Sequence, residues 1–258
     1  MTRALRVHLP VLGRERDVEL PMPGGITSAL AALPAARKLS AAAMGASLEL
    51  RAREGKKPSC KAGCSHCCRQ LVPVSVVEAK ALALAVAKMP PKRREATRRR
   101  FAALLARLES EGIVQPSGGA PRTALVSREK GDASEMWAEV NRHYFSLHLD
   151  CPFLEQDRCT VYEERPFVCR EYMVTSPATL CASMDPSLEA VPRPIYMTQA
   201  VARMAESLDG VQPSSVPLPL LLEWAEAHGG ELVSEHPAEA VLEAFVEALE
   251  WEDEPPAG

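Results

Sequence analysis

The chain has 258 residues, 47% of them apolar but only 5% aromatic, and a formal net charge of −4. That length allows one large domain, or a domain with an appendage, and a sizeable core. No run approaches the ~18 apolar residues of a membrane-spanning helix, so no membrane span is expected. Leu, Ala and Val must fill most of the core, and richness in alanine with few β-branched runs favours a mainly helical fold. The charge is uneven: residues 1–130 hold 24 Lys/Arg and 10 Asp/Glu, whereas residues 131–258 hold 6 and 24. Two halves of opposite sign attract each other within one fold, and a basic surface would also suit an acidic partner.

Residues 5–9 and 16–20 alternate, through Val7 and Leu9 and through Val18 and Leu20, with Gly13 between the runs. This spacing predicts a small N-terminal β-hairpin, ended by Pro21, Pro23, Gly24 and Gly25. A helix is predicted from a Thr27/Ser28 cap to about Arg53, broken near Pro34. Its end, Arg51 to Lys57, is polar and basic, and Pro58 and Ser59 then open a loop. Ser75 followed by Glu78 is a capping box, which predicts a helix over 75–89. Pro90 and Pro91 stop it, and Pro91 starts the next. There Phe101, Leu104, Leu105 and Leu108 recur at i, i+3, i+4 and i+7 and form one apolar stripe. The first half of this helix is basic, with Lys92, Arg93, Arg94, Arg98, Arg99 and Arg100. The run reads as a solvated helix face. Nucleic-acid binding is the sharper alternative, but aromatic residues for base stacking are few and no nucleic-acid-binding module is recognisable.

Residues 112–131 carry Gly112, Pro116, Gly118, Gly119, Pro121 and Gly131 and read as a loop. Asp132 with Glu135 repeats the capping pattern and opens a helix over 132–148, with Trp137, Val140, Tyr144 and Leu147 on one side. A short helix starts at Pro166. Pro186, Pro192 and Pro194 mark a loop, and helices follow near 195–208, 217–228 and 237–250. The last carries a stripe of Val241, Leu242, Phe245, Val246 and Leu249, and the acidic end from Glu250 to Gly258 is expected to fray.

All eight cysteines lie in two groups. Cys60, Cys64, Cys67 and Cys68 are gathered with His66 in nine residues, and Cys151, Cys159, Cys169 and Cys181 follow far down the chain. The segment from Met1 to Leu20 is broken by Arg3, Arg6, Arg14, Glu15, Arg16 and Asp17, unlike a signal peptide, so a cytoplasmic protein is expected. In that reducing compartment clustered cysteines are metal ligands or redox groups rather than structural disulfides. Thiolates are soft, charged donors, and one metal takes about four. Short loops with small residues let several sulfurs converge, and Gly63 permits the tight turn that Cys60-x3-Cys64-x2-Cys67 needs. These spacings suit both a zinc knuckle and an iron–sulfur loop. Cys67 and Cys68 are adjacent, so their side chains should diverge and serve differently. A dithiol exchange through Cys64-x-x-Cys67 lacks the βαβ setting of a thioredoxin-like site. His66 is either a ligand or a polar loop residue, and His143 and His148 read as structural or surface residues.

The pattern Cys60-x3-Cys64-x2-Cys67-Cys68, then Cys151-Pro-Phe-Leu154, then Cys159-Thr-Val-Tyr162-Glu163-x-Arg165-Pro166-x-x-Cys169-Arg170 resembles the YkgJ-like cysteine-cluster family. The resemblance covers about 60–181 and implies a zinc- or iron-chelating domain. That family also takes in flagellin lysine N-methylases, so the resemblance further implies, as an alternative, a cluster-dependent protein-modifying enzyme using S-adenosylmethionine on a protein substrate. This chain has no glycine-rich methyl-donor loop after a strand. The motif also places Arg165 and Arg170 beside Cys169, where cations stabilise thiolates or pair with Glu163 or Glu164, and gives Tyr162 a sulfur to hydrogen-bond or a surface to pack on.

The expected fold is therefore mainly α: an irregular helical domain around a cysteine-ligated metal site, with a small N-terminal hairpin. Three segments are expected: a basic hairpin and helix over 1–57, a metal-binding domain over 58–185, and a helical extension with an acidic tail over 186–258. Cys60, Cys64, Cys67, Cys68, Cys151, Cys159, Cys169 and Cys181 are the candidate metal ligands, for zinc or an iron–sulfur cluster in a structural or redox role. The methylase-type enzyme and a nucleic-acid-binding module are the other readings.

Overall fold

Strands β1 (Arg3–Val11) and β2 (Arg14–Met22) pair antiparallel, with Val7 opposite Val18 and Leu5 opposite Leu20. The alternation does what it predicts: Val7, Val11, Val18 and Leu20 are buried, while Arg6 and Glu19 pair on the outer face at 3.0 Å. The computed structural model describes residues 3–12, 14–22, 24–122, 124–126, 133–183, 185–212, 215–230, 232 and 234–251. Gly13, Pro23, Gly131, Asp132 and residues 252–258, all named above, lie outside the described residues.

The buried face of the hairpin rests on α1 (Leu33–Arg53), and Arg16 reaches Glu49 across the contact. Ser28 starts a 3-10 turn over Ala29–Ala32, and α1 follows, with Pro34 in its first turn. A proline there interrupts nothing, because first-turn N–H groups have no helical partner. Ala35, Ala36, Leu39 and Ala43 are fully buried, and the small side chains of the three alanines let neighbouring helices approach α1 closely.

The chain then returns through β4 (Pro73–Ser75) into α2 (Val76–Ala87), whose capping box is complete. Glu78 N–H donates to Ser75 Oγ at 3.2 Å, and Ser75 N–H donates to Glu78 Oε2 at 2.9 Å. Helix α3 (Pro91–Ser110) buries the predicted Phe101, Leu104, Leu105 and Leu108 and, in addition, Thr97. Phe101 joins the main core. The three leucines join a smaller core with Ile113, Val114 and the Val140 and Tyr144 of α4 (Ala133–Ser146).

Helix α6 (Met197–Asp209) runs against α1, α2 and α8 (Ala238–Glu247), and Gly210 ends it in the left-handed conformation at φ 64°. Helix α7 (Leu221–Ala227) follows a 3-10 turn over Leu218–Leu220. Three further strand pairs, absent from the sequence reading, close the fold. Strand β3 (Ile26–Thr27) pairs with β8 (His236–Pro237), β4 with β7 (Ser215–Pro217), and β5 (Leu154–Glu155) with β6 (Arg158–Cys159). At two or three residues each, they are too short to show a period. The main core draws buried residues from Val7 to Phe245.

The two halves of opposite charge meet as expected. Lys56 pairs with Glu189 at 3.0 Å and Arg69 with Asp150 at 2.8 Å. Arg122, which is largely buried, binds both Glu109 and Glu223; hydrogen bonding within this trio raises the arginine's pKa and lowers that of Glu223. Among the described residues no helix is long and apolar enough to cross a membrane.

Phe101 meets Phe153 edge to face at 5.2 Å between ring centroids and so fastens α3 to the segment after Cys151. Phe101→Ala should cost about 3–5 kcal/mol, read in urea unfolding as a lower midpoint at unchanged slope. A loss under about 1 kcal/mol would contradict that packing role.

Candidate metal centre

The first thiols ride on two tight turns. Cys64 N–H closes on Lys61 O at 2.9 Å, and Gly63 between them takes a φ of 84°, open to glycine and strained for other residues. Ser65 then caps a 3-10 turn over His66–Arg69 that carries Cys67 and Cys68. In the second stretch, Cys151 stands in the bend after α4, Cys159 ends β6, Cys169 lies on α5 (Phe167–Glu171), and Cys181 lies on a 3-10 turn over Ala178–Ala182. All eight are free thiols; Cys181 is buried and the rest are half-buried.

Hydrogen bonds join the two stretches directly. Cys151 N–H donates to Cys68 O at 2.8 Å, and Ser59 N–H donates to Val174 O at 2.9 Å. Buried Ser65 donates through its hydroxyl to Asp157 at 2.6 Å. Asp157 and Gln156 form the β5–β6 turn with φ of 58° and 50°, a conformation that non-glycine residues adopt at a cost. Helix α3 holds the same hairpin from behind: Arg93 donates to Thr160 O and Arg100 to Pro152 O, each at 2.8 Å. The basic run is thus not simply a solvated face. Two of its arginines are struts, because their long stems reach carbonyls that the β5–β6 hairpin leaves unpaired.

The thiols fall into two overlapping groups. Cys60, Cys64, Cys67 and Cys181 lie within electrostatic reach of one another, and Cys67 is also within reach of Cys151 and Cys169, which in turn feel Cys159. Burial pushes up the pKa of Cys60, Cys159, Cys169 and Cys181, and that of Cys151 to about 12. Cys67 is raised chiefly by a hydrogen bond to Cys68 and next by burial. The two adjacent residues stand on a 3-10 turn, which sets them neither as in an α-helix nor as in a strand. Among the described residues, no three His, Cys, Asp or Glu side chains close on a point tightly enough to hold an ion. Neutral thiols have nothing to draw them together; a cation would replace their protons and supply that pull. The donors are all sulfur and gathered in one place, which fits zinc or an iron–sulfur centre.

The cationic field around them comes from Arg165, which favours the thiolate of Cys60, Cys67 and Cys159, and from Arg170, which favours that of Cys159. Arg165 lies over the Tyr162 ring at 4.2 Å. Arg170 donates to the carbonyls of Arg165, at 3.0 Å, and of Glu163. Burial lowers its pKa first, and the like charges of Arg165 and Arg37 lower it further. Neither arginine pairs with a Glu163 or Glu164 carboxylate among the described residues, and Tyr162 packs on Arg165.

Two buried carboxylates fix the helix that bears Cys169. Glu78 extends beyond its own capping box, and its Oε1 accepts from Phe167 N–H, the start of α5, at 2.7 Å. Burial raises its pKa against the pull of these donors. Glu171, at the other end of α5, accepts from Ser40 of α1 at 2.8 Å; burial raises its pKa to about 7. Sequence reasoning missed these contacts, and missed Tyr172, whose hydroxyl donates to Cys181. Only Glu78 gave a signal, through its capping box. His66 sits half-buried on the turn between the two cysteine pairs.

The family model CxxCxxCC, a "putative zinc- or iron-chelating domain", matches residues 59–187. No curated protein and no solved structure matches the chain.

Glu78→Ala removes the acceptor for two buried N–H groups and should cost about 2–5 kcal/mol in urea unfolding; a loss within about 0.5 kcal/mol would remove it as the clamp. Glu171 has a folded pKa above its unfolded value, so its contribution is fully present below about pH 4.5 and is lost as pH rises through about 7. The stability of Glu171→Gln relative to the parent should therefore rise with pH across that window, by up to about 3 kcal/mol. A difference that stays flat from pH 5 to 8 would contradict this.

Proposed function

The chain belongs to the CxxCxxCC family, and on that premise we propose that it chelates metal between its two cysteine stretches, with Cys67 as the shared sulfur. Residues 58–185 form the unit that does so. The reading rests on one observation above the others: Cys151 N–H donates to Cys68 O at 2.8 Å, which sets the second cysteine stretch against the turn that carries Cys67. Cys60, Cys64, Cys67 and Cys181 make one donor set, and Cys67, Cys151, Cys159 and Cys169 make the other. Each set has the size that a tetrahedral zinc or an iron–sulfur centre takes. The two sets would hold the metal through thiolates, with Cys67 common to both and Cys68 beside it.

The chain's own residues prepare the site for this role. Half-burial excludes water and holds the thiols neutral until a cation arrives, so binding releases protons and weakens as pH falls. Arg165 and Arg170 offset the negative charge that thiolates bring. Sulfur donors that fill every position on a zinc ion leave none open, which favours a structural role for zinc over a hydrolytic one and leaves a redox role to an iron–sulfur centre. A reducing cytoplasm would keep all eight thiols available.

Protein expressed with zinc and iron and purified without oxygen should carry stoichiometric metal. Broad visible absorption would mark an iron–sulfur centre, and a colourless zinc-loaded protein a thiolate zinc site. Cys67→Ser should lose most of the metal, Cys60→Ser or Cys169→Ser the share of one set, and Cys68→Ser little, with circular dichroism checking each fold. Metal-free protein sinks the proposal, and so does Cys67→Ser loading as fully as Cys68→Ser.

A further inference from the structure

Helix α2 is apolar nearly all round, and such a helix is normally covered on every side. Leu82 and Val86 are buried, but Ala81, Leu84 and Ala85 form a second apolar stripe that the fold leaves open. Leu84 is 39% exposed. With Leu30 and Leu33 across from it, this stripe floors a groove of about 520 Å³, closed at one end by Thr160 and Glu164 of the second cysteine stretch.

The rim is cationic. Arg37, Lys88 and Arg93 stand along it, against the single carboxylate of Glu164. Among the described residues Arg37 and Lys88 make no side-chain hydrogen bond or ion pair, and Arg93 spends one donor on the Thr160 carbonyl, which leaves its charge unneutralised. An apolar floor between unmatched cations has the complement of an amphipathic helix with acidic flanks.

We propose that this groove binds an acidic amphipathic helix of a partner protein, with apolar side chains on Leu84 and Leu30 and carboxylates facing Arg37, Lys88 and Arg93. A second copy of the chain does not fit the groove. The exposed face of its α8 offers Glu239, Glu243 and Glu247, but the apolar face that must accompany them is buried in its own core as Val241, Leu242 and Phe245. A concave groove between helices also suits a helix better than a membrane surface. The site is built from α1, α2 and α3 and does not depend on the metal reading, although its occupant would touch the residue that follows Cys159.

The test uses the full chain and two labelled peptides of about 15 residues with the same leucine spacing, one flanked by Asp and Glu and one by Lys and Arg. Fluorescence polarisation should show saturable, salt-sensitive binding of the acidic peptide, at least about tenfold tighter than the basic one. Leu84→Glu and the double substitution Arg37→Glu with Lys88→Glu should each weaken it at least about tenfold, with unchanged circular dichroism and metal content. Equal binding of the two peptides, binding of neither, or insensitivity to both variants overturns the proposal. Leu84-dependent binding to phosphatidylserine vesicles without binding of the acidic peptide overturns it in favour of a lipid surface.

Discussion

One buried carboxylate carries the geometry of the cysteine region. Glu78 accepts from Ser75 N–H and Ser75 Oγ at the start of α2 and from Phe167 N–H at the start of α5. Each helix start has N–H groups with no partner inside its own helix, and one side chain serves both. A water could serve either end alone. It would not fix the distance between them, and that distance sets where Cys169 stands relative to the loop of Cys60 to Cys68. Burying a carboxylate is unfavourable unless its oxygens are occupied, and here each oxygen is. The site is therefore positioned by a group that is itself no candidate ligand.

The thiols follow the same logic at the opposite sign. A thiolate in a half-buried place is disfavoured, and burial keeps these groups protonated. Backbone bonds do the gathering instead: Cys151 N–H to Cys68 O and Ser59 N–H to Val174 O bring the stretches together with no charge involved. The metal-free fold can thus hold the donors near one another without forcing like charges together.

What was legible in the sequence is what depends on near neighbours. The hairpin alternation, the Ser75–Glu78 capping box, Pro91 at a helix start and the Phe101–Leu108 stripe each need only a few residues, and each stands as read. The second function of Glu78, the Ser65–Asp157 bond and the struts from Arg93 and Arg100 link residues far apart in sequence, and no local pattern encodes them. The adjacent pair Cys67 and Cys68 shows another limit of local reading. The expectation that their side chains diverge assumes a helix or a strand, and the chain adopts a 3-10 turn there. The cysteines announced a shared chemistry through their grouping; which of them meet was set by the fold.

The distribution of arginine partners shows what the charge asymmetry does near the site. Away from it, basic and acidic halves neutralise each other: Arg122 with Glu223 and Lys56 with Glu189. Around the second cysteine stretch the partners change. Arg93 and Arg170 donate to carbonyls and Arg165 lies on a ring, while Arg69 pairs with Asp150 at 2.8 Å and Arg100 reaches Glu155 at 3.8 Å. A carboxylate would cancel the field of an arginine at the thiols, whereas a carbonyl or an aromatic face holds the side chain in place and leaves its charge intact. Thiolates need such an uncancelled field once their protons leave. Glu163 and Glu164 are exposed and, among the described residues, make no ion pair with Arg165 or Arg170, although the charge of Glu164 opposes the Cys159 thiolate that both arginines favour.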